Sequence, residues 1–209
     1  MAITFRFVEP SDAAGILAIY GPFCETSHVS FETIAPTLEQ MSQRIRTVTE
    51  KYPWLACEID GQLAGYVYAS QHRERAAYRW AVDVAVYVAE AHCRRGVGRA
   101  LYNALFLVLR EQGIFNAFAG ITLPNPASIG LHRAVGFVPV GICHHAGYKL
   151  GSWRDVGWWQ LSLQPERSDP PETRRIADVR GSDSVAAALL EGAAALGRGT
   201  ILPSPSADV

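Results

Sequence analysis

Cysteines are sparse in this 209-residue sequence, its charges nearly cancel, and no long apolar run interrupts it. The four cysteines, Cys24, Cys57, Cys93 and Cys143, stand far apart and form no C-x-x-C pair. That spacing argues against a zinc site and a disulfide framework, and it fits a reducing compartment. Formal net charge is -1, so no overall field draws in nucleic acid or an anionic membrane, and any cationic site must be local. No apolar stretch approaches the length of a membrane span, and residues 1–10 hold no signal-peptide core. These absences predict a soluble, cytoplasmic protein with neither nucleic acid nor membrane as partner.

What is present is a 49% hydrophobic composition, enough to bury a sizeable core. Residues 3–8 alternate apolar and polar, as a half-buried strand does. Ser11 is the expected N-cap of a helix whose face is Ala14, Ile16, Leu17 and Tyr20. A second helix is expected over 37–51, with Leu38, Met41, Ile45 and Val48 at helical spacing. Strands over 54–59 and 65–70 flank Asp60-Gly61, a hairpin signal. Residues 80–88 read as a long buried strand carrying one carboxylate, Asp83. Leu101, Ala104, Leu105, Val108 and Leu109 then make an amphipathic helix ending near Gly113. Residues 117–123 form another buried strand, and Asn125-Pro126 opens a helix that stops before Gly136. The last strands are expected over 137–142 and 158–163. From 164 to 209 the chain turns Pro-, Ser- and Ala-rich, and it reads as an extension with room for one short helix, not a second domain. This order is that of an α/β (α+β) protein.

The stretch HCRRGVGRAL, residues 92–101, puts glycines and cations where a helix begins. Either the glycines merely turn the chain, or the helix start cradles phosphate with its free N–H groups and positive dipole end. No third glycine stands in register for a dinucleotide fingerprint, and no G-K-[ST] follows for a Walker loop. Asp83 either pairs with an arginine at a polar edge or does chemical work, since a lone buried carboxylate is costly. His132 is either a structural hydrogen-bonder or an acid/base group. The neighbours His144 and His145 point to opposite faces of a strand and have no third ligand, so no metal site is expected. Cys93 stands beside three arginines but has no histidine partner in the motif, and it reads as a bystander.

Residues 93–98 resemble the pyrophosphate loop of the GNAT superfamily of N-acetyltransferases, whose pattern is [Q/R]-x-x-G-x-[G/A]. The first position departs, with Cys93 where Gln or Arg is usual. Over about residues 3–163 the chain is similar to the phosphinothricin N-acetyltransferase group, which includes methionine sulfoximine and methionine sulfone acetyltransferases. The likeness is carried by ETSHVSFET, YPWLACEIDGQLAGYVYAS, YRWAVDVAVYV, LPNPASIGLHRAVGF and HAGYKLGSWRDVGWWQL.

The resemblance implies a GNAT domain over 1–163, with a mixed, mostly antiparallel sheet flanked by helices. It implies acetyl-CoA as co-substrate, no metal, and a homodimer. The reaction implied is acetylation of the α-amino group of a small amino acid of the phosphinothricin, methionine sulfoximine or methionine sulfone type, by direct transfer in a ternary complex. Another amine acceptor, or a non-catalytic acetyl-CoA-binding module, are the rival readings. Asp83 matches the group's catalytic glutamate, one methylene shorter, which points to a base acting through water. His132 matches a histidine beside the thioester. The backbone of Val86, Tyr87 and Val88, together with Asn125, would take the pantetheine arm. Arg94, Arg95, Gly96, Val97, Gly98 and Arg99 would take the pyrophosphate, with bulk at Gly96 or Gly98 obstructing its approach; some of the arginines serve either the adenosine phosphates or only solvent. Arg73, Arg75 and Tyr78 match residues that grip the acceptor, a guanidinium fork suiting a carboxylate or phosphinate, and Phe31 matches an aromatic wall. Trp153, Trp158 and Trp159 serve either the core or a subunit interface. The extension lies outside the likeness and is either disordered or covers a partner subunit.

Overall fold

A computed structural model describes residues 1–198; the Pro/Ser-rich end expected at 199–209 lies outside the described residues. The strands are β1 (Ile3–Phe7), β2 (Trp54–Ile59), β3 (Gln62–Gln71), β4 (Ala81–Val88), β5 (Asn116–Leu123), β6 (Val138–Lys149) and β7 (Ser152–Ser162). They form one sheet in the order β1-β2-β3-β4-β5-β7-β6. Every neighbouring pair is antiparallel except β4 and β5. The helices are α1 (Ala13–Glu25), α2 (Leu38–Thr49), α3 (Val97–Glu111), α4 (Pro126–Ala134), α5 (Ile176–Val179) and α6 (Asp183–Gly197).

Local chemistry explains most boundaries. Asp60 and Gly61 both have positive φ, 50° and 78°, as a two-residue hairpin turn of the primed kind requires. Thr37 and Gln40 form a reciprocal capping box at the start of α2. The start of α1 differs from expectation. Ser11 sits inside a 3-10 turn, Pro10–Asp12, and the Asp12 carboxylate takes the Glu9 N–H instead. Arg6 fixes that carboxylate at 2.7 Å.

Alternate residues of the central strands point to opposite faces. Trp54, Ala56 and Tyr66 pack with Ile16, Met41 and Ile45 beneath α1 and α2. Leu55, Cys57 and Val67 pack with Leu101, Leu105 and Leu109 beneath α3. Each such leucine or isoleucine contributes roughly 1.5–3 kcal/mol on full burial. All four cysteines are free thiols, Cys24 and Cys57 buried, Cys93 and Cys143 exposed.

Two expectations are corrected. The last strands are twice as long as expected and form a hairpin through Leu150 and Gly151, both at positive φ. Nearly all of β6 is exposed, so its ladder is held by backbone pairing and its side chains carry no apolar alternation to read. The extension holds two helices, not one short one. In α6, Val185, Ala188, Gly192 and Ala195 are buried at helical spacing, and the helix packs on α3 and β1. A Cβ at Gly192 would stand 2.9 Å from the Phe5 ring and 3.3 Å from Ala104. Small side chains allow that approach, yet they look only weakly hydrophobic in sequence.

Candidate active site

Strands β4 and β5 pair only where Ala81, Val82 and Asp83 meet Asn116, Ala117 and Phe118. Beyond Asp83 the two strands separate, while β4 stays paired with β3 as far as Val88. Residues 84–88 therefore present a strand edge to the gap with no strand opposite. Such an edge has backbone donors and acceptors to satisfy and suits an extended amide chain. Val86 and Tyr87 line one side of the gap, Gly120, Ile121 and Thr122 the other, with Tyr102, Asn125 and His132 also on its walls. Asn125 caps α4 as expected, its side chain accepting from the Ser128 N–H at 3.0 Å.

The glycine-rich loop follows the end of β4. Gly96 has a φ of 86° and is the N-cap of α3; Arg94, at 58°, is also left-handed. Glycine adopts that conformation without a Cβ clash. The first bond of the helix runs from the Ala100 N–H to the Gly96 carbonyl at 3.0 Å, so helix geometry leaves the preceding N–H groups directed outward. Gly98 also has a packing role. It is buried, and a Cβ there would lie 3.1 Å from Leu131, so it sets how closely α4 approaches α3. Arg94 and Arg95 are exposed and Arg99 is half-buried. The Cys93 thiol lies 3.9 Å from the Val88 carbonyl, at the turn into the loop.

Asp83 stands where the strands part. Its Oδ1 is 2.7 Å from His72 Nδ1. His72 follows directly on β3, whose Ser70 is the register partner of Asp83. The imidazole stacks on Phe118 at 4.3 Å and 13° and meets Tyr78 and Trp158 edge-on. Burial pushes the Asp83 carboxyl above its ordinary value, and the His72 hydrogen bond and the Arg73 charge draw it part of the way back. His72 was missed in the sequence. The stretch QHRERAA reads as a charged loop, and only strand register brings its histidine to the carboxylate.

His132 is 4% exposed. Its Nδ1 lies 2.8 Å from the Ser128 carbonyl, which can only accept, so Nδ1 carries the proton. Nε2 then accepts from the Tyr102 hydroxyl at 2.9 Å. Burial holds the imidazole below its ordinary pKa and raises that of Tyr102. Both ring nitrogens are hydrogen-bonded, and His132, expected as a structural hydrogen-bonder or an acid/base group, stands on the wall of the gap beside Tyr102. Tyr102, hidden among the apolar residues of α3, is the second residue that sequence reading missed.

Arg73, Arg75 and Tyr78 come together on a separate cavity of about 340 Å³. Arg73 lies over the Trp158 ring at 5.9 Å. Phe31 does not join them. Its ring covers Gly147 of β6, where any side chain would collide with it, and Phe31 lines neither this cavity nor the β4–β5 gap. The buried Lys149 ammonium holds that loop to the hairpin through the Phe23 and Ser30 carbonyls. His144 bonds to Asp155 at 2.9 Å, and His145 has a φ of 50° inside a strand irregularity, so simple alternation does not hold there. The tryptophans divide: Trp159 is core, Trp158 borders His72, and Trp153 is exposed.

The family described as the acetyltransferase (GNAT) domain matches residues 5–158. A phosphinothricin N-acetyltransferase of Streptomyces viridochromogenes is 37% identical over 175 residues, which is 82% of this chain and 96% of that protein. The L-methionine sulfoximine/L-methionine sulfone acetyltransferase of Pseudomonas aeruginosa is 34% identical, covering 81% of this chain and 100% of its own length. A GNAT superfamily phosphinothricin acetyltransferase from Sinorhizobium meliloti, solved in complex with AcCoA, superposes with a TM-score of 0.76 at 31% identity, over 83% of this chain and 98% of that one. By domain and by relatives alike, the chain is an N-acetyltransferase of the GNAT family, akin to the phosphinothricin and methionine sulfoximine acetyltransferases.

Proposed function

We propose that the chain transfers acetyl from acetyl-CoA directly to the α-amino group of a small amino acid of the phosphinothricin, methionine sulfoximine or methionine sulfone type, with both substrates bound together. The observation that carries this reading is the Asp83–His72 pair at the point where β4 and β5 part. Acetyl-CoA supplies an activated thioester. The free edge of residues 84–88 and Asn125 would hold its pantetheine arm, and the loop of Arg94, Arg95, Gly96, Val97, Gly98 and Arg99 its phosphates.

An amine attacks only after losing its proton, and Asp83 is the residue to take it. With Oδ1 bonded to His72, Oδ2 is left for the proton, and the short aspartate side chain favours relay through a water. His132 acts as a positioning residue that orients the Tyr102 hydroxyl in the gap. Arg73, Arg75 and Tyr78 would hold the acid end of the acceptor, and their charge disfavours polycationic amines. The same reading takes the protein as a homodimer, joined through the exposed edge strand β6, and as cytoplasmic, in keeping with four free thiols.

The test is thiol release from acetyl-CoA with a panel of amino acids that includes these three acceptors. Asp83→Asn should cut turnover at least about tenfold while acetyl-CoA affinity stays within about twofold. Unchanged turnover would remove Asp83 from the mechanism. Acetyl-CoA binding with no thiol release for any acceptor would favour a non-catalytic module.

A further inference from the structure

Helix α6 lies beyond the stretch that the GNAT domain matches, residues 5–158, yet its end reaches the glycine-rich loop. A Cβ at Gly192 of α6 would stand 3.3 Å from Ala104 of α3, and one at Gly96 would stand 3.6 Å from Leu196 Cδ1. Rising numbers on α6 meet falling numbers on α3, so the two helices run antiparallel. The last turn of α6 therefore lies against Gly96, the left-handed N-cap of α3.

A cation stands at that end. Arg198 is the C-cap of α6, its N–H bonded to the Ala194 and Leu196 carbonyls, and it is exposed. Helix rise carries it only about 3 Å along the axis from Leu196. No lysine or arginine occurs between Arg180 and Arg198, so the charge falls on this turn alone. Among the described residues Arg198 forms no ion pair, and neither do Arg94 and Arg95 of the loop. The carbonyl pole of a helix is partly negative and opposes an anion. α6 brings that pole to a loop whose outward N–H groups suit phosphate, and Arg198 reverses its sign.

We propose that Arg198 binds the phosphate-bearing nucleotide end of acetyl-CoA, so that the extension supplies part of the co-substrate site. The inference rests on the acetyl-CoA reading of the loop under the proposed function. Leu196 is a positioning residue, its side chain over Gly96 holding the end of α6 against the loop. The competing role for Arg198 is to complement the α6 dipole and nothing more. That role would move the melting temperature and leave the affinity for CoA where it is.

The probe is CoA, titrated calorimetrically at low salt into the full-length protein and three variants. Arg198→Lys should bind within about twofold of the native protein, Arg198→Gln about threefold more weakly and Arg198→Glu about tenfold more weakly, in the order of charge. The differences should shrink at about 0.5 M salt. Repeating the series with 3′-dephospho-CoA locates the contact: a loss confined to CoA marks the 3′-phosphate, and an equal loss for both marks the pyrophosphate. Gln and Glu variants that bind CoA as tightly as the native protein overturn the proposal and leave the acetyl-CoA reading standing. So does a Lys variant as weak as the Glu variant, since charge would then not be the cause. A native protein that binds no CoA overturns both.

Discussion

Asp83 and His72 make a pair in which each partner alters what the other can do. Burial raises the Asp83 carboxyl, and the His72 hydrogen bond opposes that rise. A base must be ionised, so activity should be lost as pH falls through the raised pKa of Asp83, above the ordinary 3.8. His72→Phe keeps a ring against Phe118 and removes the opposing hydrogen bond. The acid limb of kcat/KM should therefore move to higher pH, measured as a pH–rate profile for both proteins. A limb that stays in place would mean that Asp83 is not the titrating base. Asp83 was legible because a single carboxylate interrupts an apolar strand. His72 was not, because its neighbours are charged and nothing local marks it. Tyr102 was hidden for the opposite reason, sitting on a helix face where an aromatic ring needs no explanation.

At the level of elements, α3 and α4 are locked together by the Leu131 contact at Gly98 and by the Tyr102–His132–Ser128 chain of hydrogen bonds. His132 is buried with its pKa lowered from 6.5. The unfolded chain takes up a proton near that value, and the folded one resists it. Stability is therefore fully present above about pH 6.5 and is lost as pH falls toward the depressed folded value, by at most about 1.4 kcal/mol per pH unit for one group. Thermal unfolding between pH 7 and pH 5 should show a steeper decline for the native protein than for His132→Gln. Identical slopes would show that His132 is not buried in its neutral form. The caps of α2 and α4 and the β2–β3 turn were legible because their chemistry lies within four residues. The full length of β6 and β7 was not, since an exposed edge strand owes its form to its neighbour's backbone.

For the molecule as a whole, β6 is an end of the sheet, twelve residues long, with Val138, Val140 and Ile142 each more than half exposed. Exposed edges of this kind invite pairing unless they are charged or covered. If a second copy covers this one, Val140→Lys should convert the dimer to a monomer, which light scattering at micromolar concentration reads directly. A native protein that is already monomeric would end the homodimer reading. At the opposite end of the sheet, α6 packs along β1 and α3. The extension thus completes the fold at one edge and, through residues 172–175, walls the cavity that Arg73, Arg75 and Tyr78 line.

Periodicity, turn residues and caps were enough to draw the order of strands and helices, the glycine-rich loop and the lone Asp83. Each of these is written in residues close along the chain. The parting of β4 and β5, the His72 partner, the Tyr102–His132 bond and the wall that residues 172–175 add beside Arg73 came from packing. Those contacts join residues from 11 to 93 positions apart, as in His72–Asp83 and Arg79–Glu172. No local pattern encodes such distances, because strand register and the close approach of buried surfaces set them.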